Sequence, residues 1–410
     1  MKNATHLEFY NLIKINPSSE IWLKSRKVKM RMLKTLMSNI KKSLNQSKIS
    51  FHKYQLSKDS ARIFFFFNNK DIFSASEVLK KVFGIYSFSP ALRTSNNFKN
   101  ITERTLEIGK EILEKDDTFA LRVKRSGVHE YTSKDVAIKV GKEVLDAFPN
   151  LNLKVNLSNP KKKIYIEIRG DFSYIFTDVI MTEWGGMPIE KKRKIFCIDV
   201  GRLNDLLAGF LVMRRGCELY PILFELSENR KLLEQRLLNW KESAKYSFHF
   251  NLIARKINIV KILEKVEELL EEPQYFCAIC RLLRFDVLSR LLKELNIEDF
   301  NLIKAISDGI SLNNSTFCSD NVDLDSIALN YLFSEVPIFT PVIGLNTENA
   351  KSFLTKVSSN LKKVDYCQFK PQNQVINIED VKIIYKSLNL DDVIEQCLTN
   401  IEEYNLFYTA

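Results

Sequence analysis

The sequence predicts a chain of several α+β and α/β domains, and three observations carry that prediction. The chain has 410 residues, more than one domain of roughly 100–200 residues accommodates. Apolar residues recur at the two-residue period of strands in some stretches and at the helical period in others, and the two alternate along the chain. Charge is unevenly divided: residues 1–200 carry 37 Lys/Arg against 21 Asp/Glu and residues 201–410 carry 24 against 29, which together give the net +11. With 45% hydrophobic and 27% charged residues, the composition is that of a folded globular chain and excludes wholesale disorder. No apolar run reaches the roughly 18 residues that span a bilayer, and the opening MKNATHLEFY lacks the apolar centre of a secretory signal. The expectation is a cytoplasmic protein with no membrane partner.

Residues 9–19 read as a strand and 20–45 as a helix, because Leu33, Leu36, Met37, Ile40 and Leu44 repeat at helical spacing. On another face of that helix Lys27, Arg31, Lys34 and Lys41 form a stripe, which suits either phosphate contact or plain solvation. A strand at 63–67, with Phe64 to Phe67 buried, a helix near 75–82 and a short strand after Gly84 complete the split βαβ pattern of a ferredoxin-like domain. A polar stretch, Thr94 to Asn100, separates it from a second α+β unit. That unit has a strand at 119–125 and a helix at 132–148 with Val136, Val140 and Val144 on one face. A strand pair, 151–157 with 164–168, follows, its hairpin tip carrying Lys161, Lys162 and Lys163. A third region opens with a strand at 194–199, a helix to Arg215 and a strand at 217–225, and continues in that alternation to about residue 390. This is a parallel sheet with crossover helices, which binds nucleotides at its strand ends. The expected domains are therefore 1–92, 93–190 and 191–410.

The basic surplus is concentrated at the front, with 13 Lys/Arg against 3 Asp/Glu in residues 1–60. Release of counterions from nucleic-acid phosphates is the commonest use of such a surplus; a lysine-rich surface drawn from an AT-rich genome is the alternative. Seven cysteines, an odd number with none before Cys197, make no disulfide framework. Cys277-Ala-Ile-Cys280 has the gap that lets two thiolates reach one metal. The competing readings are packed thiols beside Tyr275 and Phe276, and structural zinc with Cys318 or Cys397 as a fourth ligand. His6, His52, His129 and His249 show no metal or triad spacing.

Three collinear segments, Glu20-Ile-Trp-Leu-Lys-Ser25, Val82-Phe-Gly-Ile-Tyr-Ser87 and Trp184-Gly-Gly-Met-Pro-Ile189, resemble the tRNA 4-thiouridine synthase family, ThiI. Phe119-Ala-Leu-Arg-Val-Lys-Arg125 with Val155-Asn-Leu157 and Ile164-Tyr-Ile-Glu-Ile-Arg169 resembles its THUMP domain. Pro337-Ile-Phe-Thr-Pro-Val-Ile-Gly344 and Asp365-Tyr-Cys-Gln-Phe-Lys-Pro371 resemble late segments of its PP-loop domain. The resemblance implies a ferredoxin-like and a THUMP domain that hold tRNA, and a PP-loop pyrophosphatase domain of the adenine nucleotide alpha hydrolase type that adenylates a uridine before sulfur delivery. On that reading Lys27, Arg31 and Lys34 on the helix, Arg122, Lys124 and Arg125 on a strand edge, and Lys161, Lys162 and Lys163 are the tRNA contacts, since structured RNA is read by shape and phosphate.

The family's ATP loop, SGGxDS, uses small residues so that backbone N–H groups converge on pyrophosphate at a helix start. Counting back from Ala208-Gly-Phe-Leu-Val-Met-Arg-Arg-Gly216, the loop here is Val200-Gly-Arg-Leu-Asn-Asp205. Gly201 alone is small, Arg202 is bulky, and Asn204 and Asp205 read as a helix N-cap, with Asp205 aiming a carboxylate at the phosphate. ATP and Mg²⁺ are expected to bind weakly or not at all. Ser307-Asp-Gly-Ile-Ser-Leu-Asn-Asn-Ser-Thr316 only faintly echoes the family's second substrate loop. Cys277, Cys280 and Cys367 resemble the three cysteines with which archaeal members hold an iron–sulfur cluster, and the absence of a rhodanese-like domain agrees with that type. The expected function is tRNA binding in tRNA thiolation with a degenerate ATP site, as a pseudoenzyme or as partner subunit of a catalytic paralogue or homodimer. A divergent but active iron–sulfur-dependent sulfurtransferase and a structural protein that binds no RNA are the competing readings.

Overall fold

The computed structural model describes residues 10–247, 252–298, 303–312, 324–364, 366–369 and 377–406. It divides into two units, residues 1–187 and 188–410. Among the described residues no helix is long and apolar enough to cross a membrane.

In the first unit, β1 (Leu12–Pro17) leads into a short α1 (Ser19–Trp22) and then α2 (Arg26–Gln46), so the single helix expected over 20–45 is broken at Leu23–Ser25. A polar strand, β2 (Lys53–Leu56), pairs with β3 (Ile63–Phe66); its Lys-Tyr-Gln-Leu sequence has no strand signal that reading by apolar period detects. After α3 (Ile72–Leu79), β4 (Ile85–Ser95) runs for 11 residues. Its first part pairs with β1 and its last four residues with β8 (Phe172–Phe176). One strand thus serves the ferredoxin-like half and the half that follows it. The stretch expected as a polar separator is instead the end of β4 and the start of α4 (Phe98–Ile112), whose N-cap is Asn97 accepting from Asn100 N.

The second half adds β5 (Thr118–Ser126), α5 (Ser133–Ala147), β6 (Lys154–Val155), β7 (Lys162–Arg169) and β9 (Ile180–Met181). The sheet order is β2-β3-β1-β4-β8-β7-β5-β6, with β9 on β4. Here the expected hairpin fails: β6 and β7 lie on opposite sides of β5, each parallel to it. Lys162 and Lys163 therefore begin β7, with Lys161 just before it. Their neighbours explain the placement, since Asp117 and Glu114 precede β5 and draw Lys161 (2.5 Å to Asp117) and Lys162 (3.7 Å to Glu114).

Alternation separates the two faces of this sheet. Ile13, Ile15, Ile63, Phe65, Phe88, Ile164, Ile166 and Ile175 face the helices and pack with Leu33, Leu36, Ile40, Val136, Val140 and Val144. The opposite face carries Leu12, Phe64, Phe66, Tyr174 and Phe176 as a second buried cluster, with Phe64 stacked on Tyr174 at 4.3 Å. Within it a charge pair links the two halves: Lys14 Nζ on β1 donates to Glu167 Oε2 on β7 at 2.6 Å, over the Phe176 ring. Arg62 and Arg169 also pair with Glu167, at 3.0 and 2.5 Å. Burial pulls the Lys14 ammonium down to about 8 against the pull of Glu167. For Glu167, burial acts upward, but Lys14, Arg62 and Arg169 outweigh it and hold the carboxyl at about 2.

The second unit follows the expected pattern closely at its start. It runs β10 (Lys194–Asp199), α6 (Leu203–Arg214), β11 (Glu218–Glu225), α7 (Arg230–Ala244), β12 (Ile253–Asn258), α8 (Val260–Leu269), α9 (Phe276–Glu298), β13 (Ile303–Ser307), α10 (Leu324–Leu329), β14 (Ile338–Phe339) and α11 (Thr347–Val357). Two helices, α12 (Ile378–Ser387) and α13 (Asp391–Leu398), and an antiparallel edge strand, β15 (Glu402–Asn405), complete it. The sheet order is β14-β13-β10-β11-β12-β15, and all pairs except the last are parallel. β10 is central, so its C-terminal end lies at the crevice where open α/β sheets take ligands.

Candidate nucleotide loop, cysteine site and basic surface

β10 ends at Asp199 because Gly201 takes φ +100°, a conformation that L side chains rarely adopt, and the chain turns directly into α6. A phosphate seat in such a turn is a set of backbone N–H groups at the helix start. In this chain those donors already have an anion. Asp205 Oδ2 accepts from Val200 N at 3.0 Å and Arg202 N at 3.3 Å, and Gly201 N donates to Asp199 Oδ1 at 2.6 Å. The expectation that Asn204 and Asp205 cap α6 is therefore corrected: Arg202 is the N-cap and Asp205 the third helical residue, its carboxylate folded back to accept from the Arg202 backbone N–H.

Arg202 does not project into an open cradle. Its guanidinium is buried, donating to Asp205 Oδ1 at 2.5 and 2.9 Å and to Asp308 Oδ1 at 2.9 Å. Gly309, next to Asp308, lies so close that a Cβ there would collide with the backbone N of Asp205. Burial pushes the Asp205 carboxyl above the ordinary range against the pull of Arg202. Burial acts the same way on Asp308, but Arg202, Arg281 and Arg284 together hold it below. Behind the loop, Asp199 accepts from the Trp240 indole at 2.6 Å and from Arg236 at 3.2 Å, and Arg236 also donates to the Asp199 carbonyl at 2.6 Å. The roles of Asp199, Arg236 and Trp240, and the contact of Asp308 with Arg202, escaped the sequence reading because each contact joins residues 37 or more positions apart. Beside Gly201, between Leu226, Ser227, Arg236 and Val364, about 20 Å³ remains, room for about one water molecule. A larger cavity of about 460 Å³ lies past the helix start, along Asn204, Ser311, Asn346, Lys351 and Leu354.

Cys277 and Cys280 lie within the first two turns of α9, and Phe369 stacks on Phe276 at 5.5 Å, bringing Cys367 beside them. Burial, then the proximity of Cys280 and Cys367, pushes the Cys277 thiol up to about 12. Burial also raises Cys280, opposed by Arg284 and Arg281. Three adjacent thiols are a donor set of the iron–sulfur type, yet among the described residues no three His, Cys, Asp or Glu side chains converge as a ready metal site. Cys397 instead donates to the Asn258 carbonyl at 3.0 Å. Cys318 lies outside the described residues.

Lys27, Arg31 and Lys34 are exposed along α2, while Lys41 leans on Tyr54. On β5, Arg122 donates to the Leu157 carbonyl at 2.5 Å, and Lys124 and Arg125 are exposed on opposite faces of the strand. Beyond Phe119 no strand among the described residues pairs with β5 on its β6 side, so it is an open edge there. Lys163 is exposed, whereas Lys161 and Lys162 face the carboxylates named above.

Comparison with known proteins adds three family matches: the ThiI ferredoxin-like domain over residues 12–89, the THUMP domain over 95–178 and "Thiamine biosynthesis protein (ThiI)" over 194–402. A probable tRNA sulfurtransferase of Saccharolobus islandicus strain M.16.27 is 29% identical over 403 residues, covering 95% of this chain and 99% of the relative. One from Thermococcus kodakarensis is 27% identical, covering 90% and 95%. Among solved structures, a 4-thiouridine synthetase–RNA complex with bound ATP superimposes with a TM-score of 0.79 at 18% identity, over 96% of this chain and 99% of that one. PH1313 from Pyrococcus horikoshii gives 0.63 at 25% identity, over 85% and 99%.

Proposed function

The chain belongs to the ThiI family, and from that membership we propose that it binds folded tRNA and acts in tRNA modification with a nucleotide loop closed by its own side chains. The observation that carries the second half of this reading is the Asp205 carboxylate: it takes the loop N–H groups and the Arg202 guanidinium, the donors a phosphate would need. An entering triphosphate must displace a buried, charge-assisted set of bonds, each worth about 1.5–3 kcal/mol, and must meet Asp205 and Asp308 as like charges. The basic front half, with 13 Lys/Arg against 3 Asp/Glu in residues 1–60, supports the tRNA reading.

One experiment with two arms tests this. Full-length protein should bind folded tRNA with a salt dependence whose slope falls by about 2 to 3 when Lys27, Arg31 and Lys34 are all changed to Glu. The same protein, given ATP, Mg²⁺ and tRNA, should release no pyrophosphate. Unchanged tRNA affinity and slope would make the α2 stripe ordinary solvated surface, and micromolar ATP affinity with turnover would replace the closed-loop reading by that of an active sulfurtransferase.

The adjoining thiols favour a second reading of the sulfur side, in which Cys277, Cys280 and Cys367 form a sulfur-handling site that holds an iron–sulfur cluster. Protein purified without oxygen is then expected to contain iron and sulfide, both lost on Cys277→Ser. Colourless protein with zinc, or with no metal, rejects it.

A further inference from the structure

After α11 the chain passes the nucleotide loop as a strap, residues 358–364 and 366–369, on its way to α12. Its central fastening, Asn239, lies on the face of α7 where Arg236, Asn239, Trp240 and Ser243 are buried at helical spacing. Arg236 and Trp240 hold the nucleotide loop through Asp199. Between them in sequence, Asn239 holds the strap by a two-bond clasp: its Nδ2 donates to the Lys362 carbonyl at 2.7 Å, and Lys362 N donates to its Oδ1 at 3.0 Å. Ser358 and Tyr246 secure the strap's start, Ser358 to Glu242 at 2.5 Å and Tyr246 to the Val357 carbonyl at 3.3 Å. Two residues past the clasp, the Val364 carbonyl lies 3.3 Å from where a Cβ of Gly201 would be. Three residues further comes Cys367, followed by the Phe369 stack on Phe276.

We infer that Asn239 is a positioning residue: it seats the strap on the nucleotide loop and thereby sets where Cys367 stands relative to Cys277 and Cys280. The inference deepens the proposed sulfur-handling site and rests on it only for the purpose the cysteines serve. The geometry has a direct consequence. Cys277 and Cys280 are fixed by a helix, so the variable in their convergence with Cys367 is the strap. A side-chain amide, with donor and acceptor on separate atoms, meets both bonds of a backbone peptide at once, donor to carbonyl and acceptor from N–H, and leucine or alanine at 239 would leave Lys362 N–H and C=O without that partner.

The test uses full-length protein, reduced and treated with a chelator so that the thiols are free, and follows alkylation of each cysteine separately by mass spectrometry. Loss of the two part-buried hydrogen bonds in Asn239→Ala is expected to speed alkylation of Cys367 about tenfold, together with faster hydrogen exchange of residues 358–364. Cys217 and Cys397 should keep their rates. Asn239→Gln, which retains the amide, should recover part of the protection, whereas Asn239→Asp, which places a carboxylate against the Lys362 carbonyl, should not. An unchanged Cys367 rate, or equal acceleration at all cysteines, overturns the inference. Neither tRNA nor ATP enters the assay, so a failure of the tRNA or closed-loop reading leaves its result intact.

Discussion

Changing Glu167 to leucine is expected to destabilise the first unit by about 3–5 kcal/mol, while Lys14→Met should cost clearly less. The asymmetry follows from the partner count. Among the described residues Glu167 is the one carboxylate that Lys14 meets, and Arg62 and Arg169 share it; removing it leaves a buried ammonium with no anion. Removing Lys14 instead leaves Glu167 with two arginines and puts an apolar chain against Phe176. Hydrogen exchange of residues 10–187 in urea measures both in the intact chain. The pH dependence gives a second check. The Glu167 carboxyl is held at about 2 against an ordinary 4.5, so its contribution, roughly 3 kcal/mol, is complete above about pH 4.5 and is lost as pH falls toward 2. Lys14 has the opposite balance: it releases its proton near 8 in the folded state and near 10.5 in the unfolded chain. Between those values the unfolded chain binds more protons, and stability should rise with pH. That rise should vanish in Lys14→Met. A neutral Glu167→Leu, or a Lys14→Met that costs as much, contradicts this account.

What the sequence made legible is what short-range patterning encodes. The apolar run of β10, the helix up to Arg215 and the strand after Gly216 fall where the pattern puts them, since each element's period and its terminating residue lie within a dozen positions. The same holds for α5, where Val136, Val140 and Val144 do face the core. Errors arose where the signal was polar or non-local. β2 is polar, and α4 starts in a run of asparagines. Lys161 to Lys163 read as a turn because a proline and an asparagine precede them, yet their strand is placed by eight parallel pairings to β5, about which local sequence carries no information.

For the loop, the residue types were readable, but their sense was not. As letters, Arg202 and Asp205 are one bulky and one repulsive residue in a turn that the family resemblance aligns with a phosphate loop. In the fold they satisfy each other, and the third member of the set, Asp308, is 106 residues away from Arg202. The turn between β10 and α6 is thus bonded within itself. The bonds from the Arg202 backbone N–H and guanidinium to Asp205 keep the helix start bonded without any ligand, and the tertiary partner that fixes the arginine rotamer is invisible to spacing.

Arg202→Met should therefore have a large effect on stability and none on ATP binding. With the guanidinium gone, Asp205 and Asp308 remain buried and facing one another, and a stranded buried charge costs about 3–5 kcal/mol near neutral pH. The variant can relieve this by taking up a proton, because burial and the neighbouring carboxylate both push Asp205 upward once Arg202 no longer opposes them. A group whose folded value lies above its unfolded value supports the folded state at low pH and loses that support as pH rises. The deficit relative to the parent chain should accordingly be smaller at pH 5 than at pH 8, read from urea unfolding with hydrogen exchange of residues 194–214. The substitution also removes the guanidinium's bulk from the loop, so a site limited by size alone would gain ATP affinity. No such gain is expected, since Asp205 still accepts from Val200 N and from the backbone N at position 202. A variant that is as stable as the parent at pH 8, or that acquires ATP binding in calorimetry, would show that Arg202 acts as an obstruction and not as the charge that holds two buried acids together.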